Sequence, residues 1–173
     1  MYRHVPDARL ARAYGRGVSL PPDWERHRSG IDCPTCAQGR PDRTPSGSIR
    51  FATRPRSDAY LCKHAAQRGY AQVIWRGAHA ADLTDLSSQD ASEFMNDVHR
   101  VALALRRHFD GTLVNIQVLC NTQPHLHAHV SARYLEGDVA PTVPLPMHDV
   151  IEIPDDELRN DAEALRALLG REM

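Results

Sequence analysis

At 173 residues and 42% hydrophobic content, the chain is long enough to bury the core of one globular domain with appendages. It has no apolar run near the roughly 18 residues of a membrane span, and its N-terminus, MYRHVPDARLARAYGRG, lacks the continuous apolar core of a signal peptide; the expectation is a soluble, cytoplasmic protein without a membrane partner. A net charge of −1 with histidine neutral argues against a general nucleic-acid binder with a strongly basic surface.

Residues 1–30 are Arg-rich, contain Pro21-Pro22 and show little periodicity beyond a short helix around Val5 to Tyr14, so they are read as an N-terminal extension. The charge is uneven: residues 1–56 hold eleven Arg against five acids, and residues 136–173 three Arg against ten acids. Either these are solvated faces, or the two ends pack together, or the asymmetry steers an anionic substrate. Cys33-Pro34-Thr35-Cys36 follows. Four cysteines in a chain of this length suit metal ligands or a redox pair in a reducing compartment better than a disulfide framework, and two ordinary buried cysteines remain an alternative.

GRPDRTPSGS (39–48) has the Gly, Pro and Ser density of an irregular loop. Ile49 to Phe51, Ala59 to Cys62 and YAQVIWR (70–76) read as strands of an antiparallel meander. Ser87, three residues before Asp90, caps a helix whose apolar stripe runs Ala91, Phe94, Met95, Val98, Val101, Ala102, Leu105 and Phe109, with Gly111 as its stop. TLVNIQVLC (112–120) reads as a strand, Asn121 to Pro124 as a short turn, and the following residues as a second strand of a hairpin. GDVAPTVPLP (137–146) is too Pro-rich for regular structure, and DDELRNDAEALRALL (155–169) is a second amphipathic helix with acids at its start.

The hairpin carries His125, His127 and His129 in strict alternation, with Leu126, Ala128 and Val130 between them. In a strand the three imidazoles share one face at about 6.5–7 Å spacing, and the apolar residues share the other. Three adjacent imidazoles add nothing to a strand's stability, since each needs hydrogen-bond partners if buried. Function explains them better. One straight strand cannot converge all three on a tetrahedral metal; a nucleophilic histidine flanked by orienting histidines fits, because an unprotonated imidazole nitrogen can attack phosphorus when its other nitrogen is held by an acceptor.

His125-Leu-His127-Ala-His129-Val-Ser131 resembles the His-φ-His-φ-His-φ-φ signature of the histidine triad (HIT) superfamily, departing only at Ser131. QVIWRGAHAADLTDLS (72–87) is similar to the family's strand, basic turn and "DL-x-x-L" segment, and VNIQVLCNTQPHLHAHVSARY to its catalytic hairpin. The resemblance implies an α+β, HIT-like domain over residues 31–136, with about five antiparallel strands and one main helix. Residues 1–30 and the Pro-rich segment and helix of 137–173 then lie outside it. It further implies a two-fold homodimer and a purine nucleotide substrate. By resemblance, His127 is the nucleophile on the α-phosphorus, His129 contacts the phosphate and His125 orients the triad. Thr122, three residues before the triad, and Asn115 in the preceding strand match positions near phosphate or ribose, and Asn121 is a further candidate beside the turn. Arg133, on the same strand face as His129, is a further candidate phosphate contact. Cys120 stands where the family usually has glycine, and Val130-Ser131-Ala132-Arg133 lacks a common proline.

Some relatives carry zinc on a cysteine pair and two histidines, and the matching positions are Cys33, Cys36, His79 and His125; Cys62 and His64 are the rival ligands. Four protein ligands would make that zinc structural. The implied activity is a nucleotide hydrolase or nucleotidyltransferase acting on a dinucleoside polyphosphate, nucleoside phosphoramidate or adenylated small molecule through a covalent nucleotidyl-histidine. The competing readings are a nucleotide-binding module with little turnover and a metallohydrolase.

Overall fold

A computed structural model of the chain describes residues 20–145 and 150–170. The helix expected around Val5 to Tyr14, most of the N-terminal extension, His4 and His148 lie outside the described residues. Among the described residues two short helices come first, α1 (Trp24–Arg28) and α2 (Pro34–Gln38). Strands β1 (Ile49–Thr53), β2 (Ser57–Leu61), β3 (His64–Ala65) and β4 (Tyr70–Trp75) follow. The long helix α3 (Ser88–His108) leads into β5 (Leu113–Gln117) and β6 (His127–Arg133), and β7 (Ile151–Glu152) and α4 (Asp155–Gly170) follow. The main sheet has the order β1-β2-β4-β6-β5 with every neighbour antiparallel, and β3 pairs with β7 in a separate ribbon. This is the α+β architecture that the family resemblance implied.

Helix α3 forms where its cap and periodicity place it. Ser87 Oγ accepts the Asp90 backbone N–H at 3.1 Å, a cap that contributes about 1 kcal/mol. Phe94, Val98, Val101, Ala102 and Leu105 are buried against the sheet, with Met95 and Phe109 packed beside them. The opposing sheet face supplies Val73, Ala128 and Val130, with Leu126 just before β6, all fully buried.

Helix α4 is part of this same core. Leu158, Ala162, Leu165 and Leu169 join its central cluster, each fully buried leucine contributing about 1.5–3 kcal/mol relative to exposure. Charge contacts reinforce the packing: Arg43 and Lys63 reach Asp155 at 2.6 and 2.8 Å. Part of the uneven charge is therefore contact between the basic and acidic parts of the chain.

Two expectations for the hairpin are corrected. Strand β5 stops at Gln117, and residues 118–126 form a longer loop than a turn at 121–124. Cys120 lies in that loop with φ +50°, a left-handed conformation outside the strand region. Strand β6 begins at His127, so His125 precedes it: Pro124 has no N–H to donate, and the His125 N–H turns back to the Gln123 carbonyl at 2.8 Å. The three histidines do not stand on one strand face.

Candidate functional site

Strand β6 is held on both sides, with His127 opposite Ile74 and His129 opposite Gln72 on β4 and Gln117 on β5. Its alternate residues anchor in the core, so the imidazoles of His127 and His129 emerge on the other face with little freedom. His127 Nδ1 lies 2.7 Å from the backbone carbonyl of His125, and a carbonyl can only accept, so Nδ1 carries the proton. Its Nε2 therefore holds a lone pair, 3.1 Å from His129 Nε2. With both rings neutral, that contact requires the proton on His129 Nε2. His129 Nδ1 is then an acceptor, and the Tyr70 hydroxyl stands 2.9 Å from it.

Burial disfavours the charged form of all three rings and holds each below the ordinary histidine value, His125 and His129 at about 4. The arrangement at neutral pH is a lone pair on His127 Nε2 that accepts the Nε2–H of His129.

The pair opens into a pocket of about 430 Å³ lined by Gln72, the loop residues Leu119 to Gln123, His127 and His129. Asn121 and Thr122 are exposed on its rim. Two contacts tie the loop to the N-terminal helices: the Trp24 indole donates to the Asn121 carbonyl at 2.7 Å, and Gln123 donates to Thr35 Oγ1. Cys120 is 6% exposed, with its sulfur 3.9 Å from His127 Nδ1.

Asn115 and Arg133 are brought together elsewhere. Arg133 Nε donates to Asp138 at 2.8 Å, and its Nη atoms donate to Asn115 Oδ1, Asp138 and the Ala140 carbonyl. The guanidinium is buried and its donors are engaged by protein. The two residues line a separate pocket of about 440 Å³ with Pro141 and Pro144.

On the other side of the hairpin loop, His125 turns to the cysteines. Cys33, Cys36, His79 and His125 present Sγ, Sγ, Nδ1 and Nδ1 within 4.8 Å of one another, forming a group able to hold a metal ion. Cys33 and Cys36 approach His125 Nδ1 at 3.5 and 3.4 Å, and Cys36 approaches His79 Nδ1 at 3.4 Å. These separations fit a tetrahedral ion, for which bonds of about 2.3 Å to sulfur and about 2.0–2.1 Å to nitrogen put S and N about 3.5 Å apart. Each histidine commits its other nitrogen to a carbonyl, His125 Nε2 to Trp75 at 2.8 Å and His79 Nε2 to Arg28 at 3.1 Å. Both Nδ1 atoms are thereby left as lone pairs, the arrangement that orients metal-binding imidazoles. Burial and the adjacent Cys33 push the Cys36 thiol up to about 11, while Arg76 pulls it down; a bound cation would replace the thiol protons.

Gly30 allows the close approach here, since at φ +83° a Cβ would stand 3.1 Å from the His79 ring. Cys62 and His64 are not in the group: Cys62 is buried with Ala65, Ala66, Tyr70 and Leu145, and His64 lies on the β3–β7 ribbon.

Sequence reasoning did not single out Tyr70, Gln72 or Trp24. Tyr70 and Gln72 share the alternation of β4 and face the triad only because of the register that sets Gln72 against His129. Trp24 carried no periodic signal in an irregular segment.

No curated protein sequence matches the chain. Among solved structures, a histidine triad protein of Bradyrhizobium japonicum is 27% identical, with a TM-score of 0.64, over 70% of this chain and 90% of that one. A zinc-bound histidine triad family protein of Mycobacterium smegmatis is 24% identical, with a TM-score of 0.62, over 82% and 95%. A Plasmodium falciparum diadenosine triphosphate hydrolase shares the fold at 12% identity and a TM-score of 0.55, over 71% and 77%. The family model for the HIT domain matches residues 46–136, more than half of the chain, and the polypeptide that sets a lone pair on His127 beside the N–H of His129 belongs to the HIT family.

Proposed function

We propose that the protein is a nucleotide hydrolase or nucleotidyltransferase that attacks the α-phosphate of a purine nucleotide derivative through His127. The observation that carries this reading is the fixed lone pair of His127 Nε2, with Nδ1–H anchored on the His125 carbonyl at 2.7 Å, at the floor of an open pocket. Nε2 forms a bond to phosphorus as the bond from phosphorus to the leaving group breaks, and the leaving group departs with that electron pair. The ring becomes cationic, and its Nδ1–H strengthens the bond to the carbonyl. His129 Nε2–H turns to a phosphoryl oxygen and stabilises the charge there. Water or another acceptor then bonds to phosphorus, the P–N bond breaks, and the electron pair returns to Nε2 while the acceptor's proton passes to solvent. Thr122 and Asn121 on the rim contact the nucleotide. Dinucleoside polyphosphates, nucleoside phosphoramidates and adenylated small molecules all offer such a phosphorus.

The group Cys33, Cys36, His79 and His125 holds one structural zinc. The tetrahedral fit and the zinc in the Mycobacterium smegmatis relative support this assignment. Four protein ligands leave no open position, so the ion supplies order and the chemistry stays with His127. A homodimer is supported by the outer edge of the sheet, where β5 exposes Leu113 and Ile116. The free thiols favour a reducing compartment, the cytoplasm.

Intact-protein mass spectrometry after brief exposure to a panel of adenosine and guanosine substrates, with a basic quench, tests the reading. A nucleotide-sized adduct is expected on the wild type and not on His127→Ala. Tight nucleotide binding with neither adduct nor turnover would replace it with a binding module.

A further inference from the structure

Resting on the nucleophilic role of His127, we infer that Tyr70 is the positioning residue that fixes His129 in its reactive tautomer. The bonds around the pair form one ordered series. The Tyr70 hydroxyl stands 2.9 Å from His129 Nδ1, His129 Nε2 stands 3.1 Å from His127 Nε2, and His127 Nδ1 stands 2.7 Å from the His125 carbonyl. The carbonyl at one end only accepts, so every proton in the series points toward it and the hydroxyl at the other end must donate. Were His129 protonated on Nδ1 instead, two lone pairs would face each other across 3.1 Å, and no N–H would be directed at the phosphoryl group.

Tyr70 is built for this task. It is 8% exposed, on the central strand β4 opposite Ser131, and packs with Cys62, Ala65, Ala66 and Leu145 in the second core cluster. Its ring is tilted 51° to that of His129 with centroids 5.9 Å apart. Burial also pushes its phenol well above the ordinary tyrosine value, which keeps it a donor and prevents it from acting as a base. No proton leaves Tyr70 in the reaction; by donating to the His129 Nδ1 lone pair it holds the Nε2–H tautomer whose direction the His125 carbonyl sets.

The test is the His129 tautomer, read by two-bond ¹H–¹⁵N correlation in ¹⁵N-histidine protein, together with adduct formation on His127. Wild type should show His129 protonated on Nε2 alone. Tyr70→Phe, which keeps the ring, should show a mixture or the other tautomer. Its adduct formation should slow by about tenfold, the value of one hydrogen bond realised in the reacting state, with nucleotide KM little changed. His129 protonated on Nδ1 in the wild type would overturn the inference. So would a Tyr70→Phe protein with the wild-type tautomer and adduct rate. If Tyr70→Phe does not fold, the wild-type spectrum decides alone. If wild type forms no adduct with any nucleotide, the nucleophile reading fails while the tautomer comparison still judges Tyr70.

Discussion

Trp24 donates its indole N–H to the backbone carbonyl of Asn121 at 2.7 Å, joining residues 97 positions apart. The bond fastens helix α1 to the loop that rims the triad pocket, and the contact of Gln123 with Thr35 fastens the same loop to α2. A segment outside the matched HIT region thus shapes the wall against which a nucleotide would lie. Replacing Trp24 with Phe keeps most of the packing and removes the donor. The expected result is a nucleotide Kd raised about fivefold, equivalent to roughly 1 kcal/mol, with little change in the rate of adduct formation at saturation. Calorimetric titration and single-turnover kinetics measure the two separately. An unchanged Kd would mean that the loop holds its shape without α1.

Metal removal should have a larger and different effect. The group Cys33, Cys36, His79 and His125 joins α2, the segment after β4 and the loop before β6. A bound ion at about 1,000 times its Kd adds roughly 4 kcal/mol to the folded state, which corresponds to a Tm rise on the order of 10 °C for a chain of this size. Elemental analysis should find one zinc per chain, and Cys36→Ser should lose both the metal and the rise in Tm. A Tm unmoved by zinc in the wild type would remove the structural role.

Much of this arrangement was legible in the sequence, and the missing parts have a common cause. The α3 stripe from Phe94 to Leu105 is periodic, and each residue's burial follows from its own position in the helix. The four metal-group positions came from family resemblance, which places residues distant in sequence. What failed was the expectation that His125 shares a strand face with His127 and His129. Alternation along the chain is compatible with a strand, but the strand start is set by Pro124 and by the pull of the Cys33–Cys36 group, both outside the alternation itself. Tyr70 was invisible for a similar reason: its partner is fixed by strand register, which a single strand does not encode. Helix α4 read correctly as amphipathic, but nothing in it declared that its apolar face would enter the same core as α3.

Part of the pH dependence of stability follows from His129, alongside His125 and His127, which burial shifts in the same direction. The folded value of His129 is held near 4 by burial, against an unfolded value of about 6.5. Between those values the unfolded chain binds a proton that the folded chain refuses, so stability falls as pH falls. The contribution is complete above about pH 6.5 and is lost as pH drops through 4, on the order of 3 kcal/mol in all. Urea midpoints at pH 7, 5.5 and 4.5 measure the slope, and His129→Gln should reduce it by the His129 share while that of His125 and His127 remains. Equal slopes in the two proteins would assign the acid sensitivity to other groups.

Asp58 and Arg76 form the support beneath the metal group. Asp58 on β2 is 1% exposed, and the Arg76 guanidinium donates to it from Nε at 3.0 Å. Arg76 Nη1 also donates to the Thr35 carbonyl at 3.1 Å, between the two cysteines of α2. The pair therefore transmits the position of the sheet to the Cys33–Cys36 segment. Breaking a buried pair by removing one partner typically costs about 3–5 kcal/mol, because the other charge stays buried without compensation. Arg40 and Arg50 lie 3.5 and 4.0 Å from Asp58 Oδ1, so Asp58→Asn strands more positive charge than Arg76→Gln strands negative. Asp58→Asn should be the more destabilising of the two by urea denaturation, and both should weaken metal binding because Thr35 loses its anchor or the anchor loses its orientation. Near-wild-type stability in Asp58→Asn, with unchanged metal affinity, would show that Arg76 holds Thr35 without its carboxylate.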